Sequence, residues 1–230
     1  MALFRNYYKQ RNNLLSSRIL VLIILCLAFL FRQNIYFSII TYRVAQEHIT
    51  DTQLDAFLER YILTHPDVYD RHFDDIDKIV HVSLKLTADA LAFKSEEDLK
   101  TDPLSTWRLG ETNSEGFASF FNSVCTYLIQ RYHFSEQYHC RQFVSERMKG
   151  NINLQDVIRS PYGGSSPFNK TREIVAIVDS KTGYKRFIDP VIYEQFNIVD
   201  INVVGENTFA GQSPDEKRIS RLKRRLWRKP

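Results

Sequence analysis

The chain has 230 residues, 43% hydrophobic and 13% aromatic, enough to bury one core, and its charged fraction of 25% is that of a folded protein rather than a disordered one. The net charge of +4 is local: the last fourteen residues hold eight Lys or Arg and no acid, which leaves the remainder at −4 and excludes a nucleic-acid-binding surface spread over the domain. Three cysteines are too few for a disulfide framework.

From the N-terminus, Arg5, Lys9, Arg11 and Arg18 precede an apolar run at residues 19–31, ILVLIILCLAFLF. Thirteen residues fall short of the ~20 that a helix needs to cross a bilayer. Extension to 14–31 brings in Arg18, which can snorkel to the headgroups, whereas extension to 19–40 brings in Arg32, Gln33 and Asn34. The first needs fewer concessions, and residues 35–42 would then lie along the interface with Tyr36 and Tyr42 at headgroup level. A cleaved signal peptide and a buried core helix are the competing readings. The first lacks a small-x-small site after Leu30, where Phe31, Arg32, Gln33 and Asn34 follow. A signal anchor is therefore expected. Four basic residues precede the run and Arg32 and Arg43 follow it, so the N-terminus is expected in the cytoplasm and the domain on the periplasmic, extracellular or lumenal side. The layout is then a basic N-terminus at 1–18, an anchor and interfacial segment at 19–40, a domain at 44–210 and a basic tail at 211–230.

Within the domain, Leu54, Phe57, Leu58 and Tyr61 predict a helix over 51–63, capped by Thr50 or Asp51 and stopped at His65-Pro66. Ile76, Ile79, Val80, Leu84 and Leu91 predict a second over 74–93. Residues 94–110 are polar, contain Pro103 and read as loop. The strongest helix spans 114–132, where Phe117, Phe120, Phe121, Val124, Leu128 and Ile129 recur at three and four residues and require burial. Residues 137–144 read as a strand and 151–170 as a loop in which Tyr162, Gly163 and Gly164 border any cleft. Residues 173–178 and 184–188 form a β-hairpin across the 179–183 turn, with Gly183 at its left-handed position. Residues 193–204 read as extended. Cys125 and Cys140 keep two readings, a pair in an oxidising compartment or two separate buried thiols.

Glu115-Gly116-Phe117-Ala118 opening a buried helix, then a strand, then a hairpin with an Asp179–Gly183 turn ending in Ile188-Asp189-Pro190, resembles the transglutaminase-like (papain-like) superfamily over residues 75–204. The resemblance implies an α+β fold, a central helix packed on an antiparallel sheet, preceded here by one transmembrane helix. It also implies a cysteine at the helix start, a histidine on the first hairpin strand and an aspartate at its end. Those positions hold Ser114, Arg172 and Asp189. The chemistry needs a thiolate at a helix N-terminus, a proton acceptor and an orienting carboxylate. Arg172 is a permanent cation, and Cys125 lies eleven residues along the helix, about 16 Å away. The triad is thus degenerate. Arg172 and Asp189 are expected as an ion pair across the hairpin or, with Tyr162, Gly163 and Gly164, as a retained binding cleft.

No cofactor and no metal site are expected. His139 and adjacent Cys140 point to opposite faces of a strand, His133 adds no ligand spacing, and the acids around His65, His72 and His81 lack a calcium-loop pattern. The tail, KRISRLKRRLWRKP, alternates basic and apolar residues. It reads as a solvated tail or as a helix on an anionic membrane, with Arg221, Arg224, Arg225 and Trp227 at the surface. The expected partners are membrane lipids, through the anchor and the tail, and a protein, peptide or envelope polymer. The functional expectation is a membrane-anchored, inactive transglutaminase-like binding or scaffolding domain. The alternatives are an active relative with an atypical nucleophile and an interaction protein of another fold.

Overall fold

The computed structural model describes residues 19–50, 54–69, 72–94, 98–149, 152–153 and 171–204. The chain divides into two units, one ending at Ile39 and the other beginning at Ile40.

In the first unit, α1 (Ile19–Leu30) and α2 (Arg32–Ile39) are bent by 71° about Phe31. No single described helix is long and apolar enough to cross a membrane, though the bent pair together meets that length and composition. Residues 14–18 of the expected span lie outside the described residues. The break falls where the apolar run meets its first charge: Arg32 donates from Nη1 to the Phe29 carbonyl at 3.0 Å, and its guanidinium lies 4.5 Å from the Phe29 ring centre. The apolar side chains of α1 are exposed, Leu30 at 70%.

In the second unit the chain opens with β1 (Thr41–His48), a strand that its mixed composition hid from the sequence reading. Tyr42, expected at an interface, is fully buried in it. The next helix is α3 (Ala56–Thr64), starting later than predicted because Asp55 caps it, accepting from Phe57 N at 2.8 Å. A short α4 (Pro66–Tyr69) and α5 (Ile76–Ala90, capped by Asp75) follow. The last residues predicted as helix instead form β2 (Ala92–Phe93), paired in parallel with β3 (Glu111–Thr112). Between them stands α6 (Pro103–Leu109), where a loop was expected. It carries a full set of end signals: an Asp102 cap, proline at the first position and Gly110 at φ +70°. The central helix α7 (Ser114–Arg131) is where the periodicity put it, and Phe117, Phe120, Phe121, Val124 and Leu128 are buried. Each such side chain contributes about 1.5–3 kcal/mol.

The sheet holds β4 (Tyr138–Lys149), β5 (Ile152–Asn153), β6 (Arg172–Asp179) and β7 (Lys185–Ile188), in the order β1-β4-β6-β7 with β5 on β4, antiparallel throughout. The predicted hairpin is β6–β7, with Gly183 at φ +71° and its amide on the Asp179 carbonyl at 2.8 Å. The segment expected to be extended from Tyr193 instead begins with α8 (Pro190–Phe196), because Asp189 caps it and proline opens it; Asn197 ends it at φ +53°. Residues 198–204 then bond to both outer strands. Ile201 N donates to the Phe187 carbonyl of β7, while Tyr42 of β1 exchanges bonds with Asn202 and Val204. The segment thus bonds to both outer strands of the sheet, at Tyr42 on one side and Phe187 on the other.

Strand alternation sorts the two faces of this sheet. Val175, Ile177 and Ile188 belong to the core cluster that contains the α7 side chains, whereas Ile174, Ala176 and Phe187 are buried outside that cluster. Glu173 has the parity of Val175 and so faces α7.

Candidate functional site

Asn113 caps α7, accepting from Glu115 N at 3.1 Å and Gly116 N at 3.2 Å, and so fixes the entry of the helix beside β3. Gly116 permits that approach: a Cβ there would meet Thr112 Oγ1 at 2.0 Å. The first turn then carries Glu115, which accepts from Thr101 Oγ1 at 3.0 Å. From the sheet, Glu173 of β6 is reached by His48 at the end of β1. Its Nδ1 lies 3.0 Å from both Glu173 oxygens. Gln142 Nε2 of β4, in register with His48, donates to Glu173 Oε2. The ligand atoms of His48, Glu115 and Glu173 lie within 4.8 Å of one another. Three elements distant in sequence, a strand, a helix start and a second strand, thus converge on one spot.

A cleft of about 390 Å³ opens there, lined by His48, Thr50, Glu115 and Ser119, by the caps Asp55 and Asp102, and by Leu58, Thr101, Pro103 and Leu104. Its floor is the polar face of α7: Glu115, Ser119 and Asn122 follow at helical spacing, and Asn122 Nδ2 donates to Thr50 Oγ1 at 3.1 Å. Three carboxylates and one imidazole line it, with no Lys or Arg among the described lining residues. Burial pushes the Asp102 carboxyl up, but bonds from Ser105 and the nearby Lys100 outweigh it and hold the group below the usual aspartate value. The cleft is therefore a place for a positive charge. Glu173 holds the His48 ring by Nδ1, which leaves Nε2 as the nitrogen for other partners.

The residues the sequence singled out fall elsewhere. Ser114 opens α7. Arg172 is buried at the start of β6 with its guanidinium 4.9 Å from the Phe93 ring centre. Asp189 is fully buried, capping α8 through Val191 N and Ile192 N, and accepts from Tyr42 Oη at 2.8 Å. Its ion-pair partner is Arg147, at 3.6 Å, where Arg172 was expected. Strand alternation turns the adjacent Glu173 toward α7, while the Arg172 guanidinium lies over Phe93, whose ring centre is 6.2 Å from that of Phe117 on α7. Cys125 and Cys140 are free thiols, Cys125 buried and Cys140 half-buried. The neighbouring Cys125 thiol, and then burial, push the Cys140 thiol well above its ordinary value. Tyr162, Gly163, Gly164, Arg221, Arg224, Arg225 and Trp227 lie outside the described residues.

His48 and Glu173 escaped the sequence reading because nothing local marks them. They stand 125 residues apart, and His48 lies on a strand that was not predicted. Only Glu115 carried a signal, as the acid in the first turn of the buried helix. No family model matches the chain, and comparisons with curated proteins and with solved structures return no match.

Proposed function

We propose that this chain is a membrane-anchored, transglutaminase-like domain that has lost acyl-transfer chemistry and binds a positively charged group of a protein, peptide or envelope polymer in its acidic cleft. One observation carries the reading. Where α7 meets β6, the carboxylates of Glu115 and Glu173 come together with His48, beside Ser114 and Arg172, which offer neither a thiol nor a base. The order of central helix, β4 and the β6–β7 hairpin, ending at Asp189, supports the family assignment. The apolar α1 and the basic residues before it support the anchor and a translocated domain.

The test is fluorescence anisotropy of labelled Lys- and Arg-bearing peptides with the full chain in detergent micelles. Cationic peptides bind and Glu-bearing ones do not. Salt weakens binding, and Glu115→Gln weakens it by at least about tenfold, the lower end of a charge-assisted contact. Equal binding of acidic and basic peptides contradicts the reading. A reporter fused to the C-terminus that scores as cytoplasmic contradicts the topology.

A second reading follows from the His48–Glu173 pair, an imidazole held by a carboxylate as in a general-base dyad. It makes the domain a hydrolase whose nucleophile is a hydroxyl of the cleft, Ser119 foremost.

A further inference from the structure

We propose that His48, Glu115 and Glu173 form a binding site for a divalent transition cation of the zinc type. The three ligand atoms come from β1, α7 and β6 and lie within 4.8 Å of one another. A tetrahedral zinc holds nitrogen and oxygen ligands at ~2.0–2.2 Å, hence about 3.4 Å apart. Rotation of Glu115, held by a single threonine hydroxyl at 3.0 Å, closes that difference. Glu173 and His48 are already side by side at 3.0 Å.

A second observation points to the same place. Gln142 is only 1% exposed; its Nε2 is bonded to Glu173, and its Oε1 is buried with no partner among the described residues. A buried amide oxygen without a donor is costly in a folded protein. Water bound to an ion at Glu173 would supply a donor for this oxygen that the described residues do not. The amide also orients the carboxylate, as groups behind metal ligands commonly do.

The donor set selects the ion. One imidazole and two carboxylates suit zinc, manganese or ferrous iron, whereas calcium takes six to eight oxygens. With two carboxylates and a neutral imidazole, a divalent ion makes the centre neutral. Three protein ligands leave a coordination position facing the cleft, open to water or to a donor atom of a partner.

The site shares its location with the cation-binding cleft proposed above, but the two ideas fail separately. Isothermal titration of Zn2+ into the full chain in detergent micelles, after chelator treatment, needs no peptide. One equivalent is expected to bind, and Co2+ in its place gives visible absorption bands of low coordination number. His48→Ala and Glu115→Gln each lower the affinity at least about tenfold. Glu115 is only half-buried and its carboxylate accepts from a threonine hydroxyl, so the isosteric Glu115→Gln keeps the fold even if His48→Ala does not; circular dichroism checks both. Absence of Zn2+ binding to the wild-type chain, or unchanged affinity in folded Glu115→Gln, overturns the proposal. Zn2+ binding without cationic-peptide binding leaves the metal site standing and removes the peptide reading.

Discussion

At the scale of single residues, Asp189 shows how one side chain serves three purposes. It caps α8, accepts the Tyr42 hydroxyl and balances Arg147, whose Nε in turn donates to Tyr42 Oη at 3.3 Å. All three side chains are more than nine-tenths buried. Removing the carboxylate takes away an ion pair of buried Arg147, the Tyr42 contact and the cap of α8 together, so Asp189→Ala is expected to destabilise the domain by about 3–5 kcal/mol. Tyr42→Phe removes both hydrogen bonds of the hydroxyl, to Asp189 and from Arg147, and is expected to cost about 1–3 kcal/mol. Chemical denaturation of the two variants measures both. Similar small losses would mean that Asp189 acts as a helix cap alone. The sequence marked Asp189 as special, through Ile188-Asp189-Pro190, but not why. Tyr42 lies 147 residues away on a strand that no local pattern announced.

At the scale of elements, the long apolar helix α7 and the β6–β7 hairpin were legible because each satisfies its own periodicity. The short α6 was not, since proline and polarity were read as loop when proline at the first position after Asp102 is a helix start. Asp102→Ala is expected to cost about 1 kcal/mol and to fray one wall of the cleft. Asp102 and Asp179 share a direction. Burial raises both carboxyls, and hydrogen bonds, from Ser105 and from Lys181 and Thr182, bring them below the ordinary value of 3.8. A carboxyl lowered by folding stabilises the fold fully above its unfolded pKa and loses that contribution as pH falls through the folded one. The acid limb of the stability curve below about pH 4 should therefore flatten in Asp102→Ala. An unchanged limb would assign acid sensitivity to other groups. Between strands, the deciding detail is one of parity: β6 turns Glu173 toward α7. Reading Arg172 as the facing residue followed from counting to Asp189 without a register to fix the face.

At the scale of the molecule, the 198–204 segment bonds to both outer strands of the sheet, and two histidines report on the packing of the domain. His81 on α5 is lowered from 6.5 by burial and then by Arg186, against Asp200 and Asp77. His139 on β4 is lowered by burial and then by Arg141, and its Nε2 is buried with no partner among the described residues. Both are neutral in the fold and charge more readily when unfolded. Their contribution is complete above pH 6.5 and is lost as pH falls through the lower folded values. The melting temperature is expected to drop between pH 7 and pH 5, and the double change His81→Gln, His139→Gln to reduce the drop. An identical drop in that variant would contradict it. The α+β class was readable in advance from the periodicities. The site was not, because His48, Glu115 and Glu173 become neighbours only when β1, α7 and β6 assemble.

Whether α7 opens onto ligand binding or onto bond-making chemistry is decided most directly by mass spectrometry of the native full chain after exposure to serine- and thiol-directed electrophiles. The predicted result is no adduct at Ser114, Ser119, Cys125 or Cys140 forming faster than in the denatured chain, since the first turn of α7 carries Glu115, Cys125 is buried and the Cys140 thiol is held well above its ordinary value. Stoichiometric labelling of Ser119 that disappears in His48→Ala would contradict it and make the domain a hydrolase.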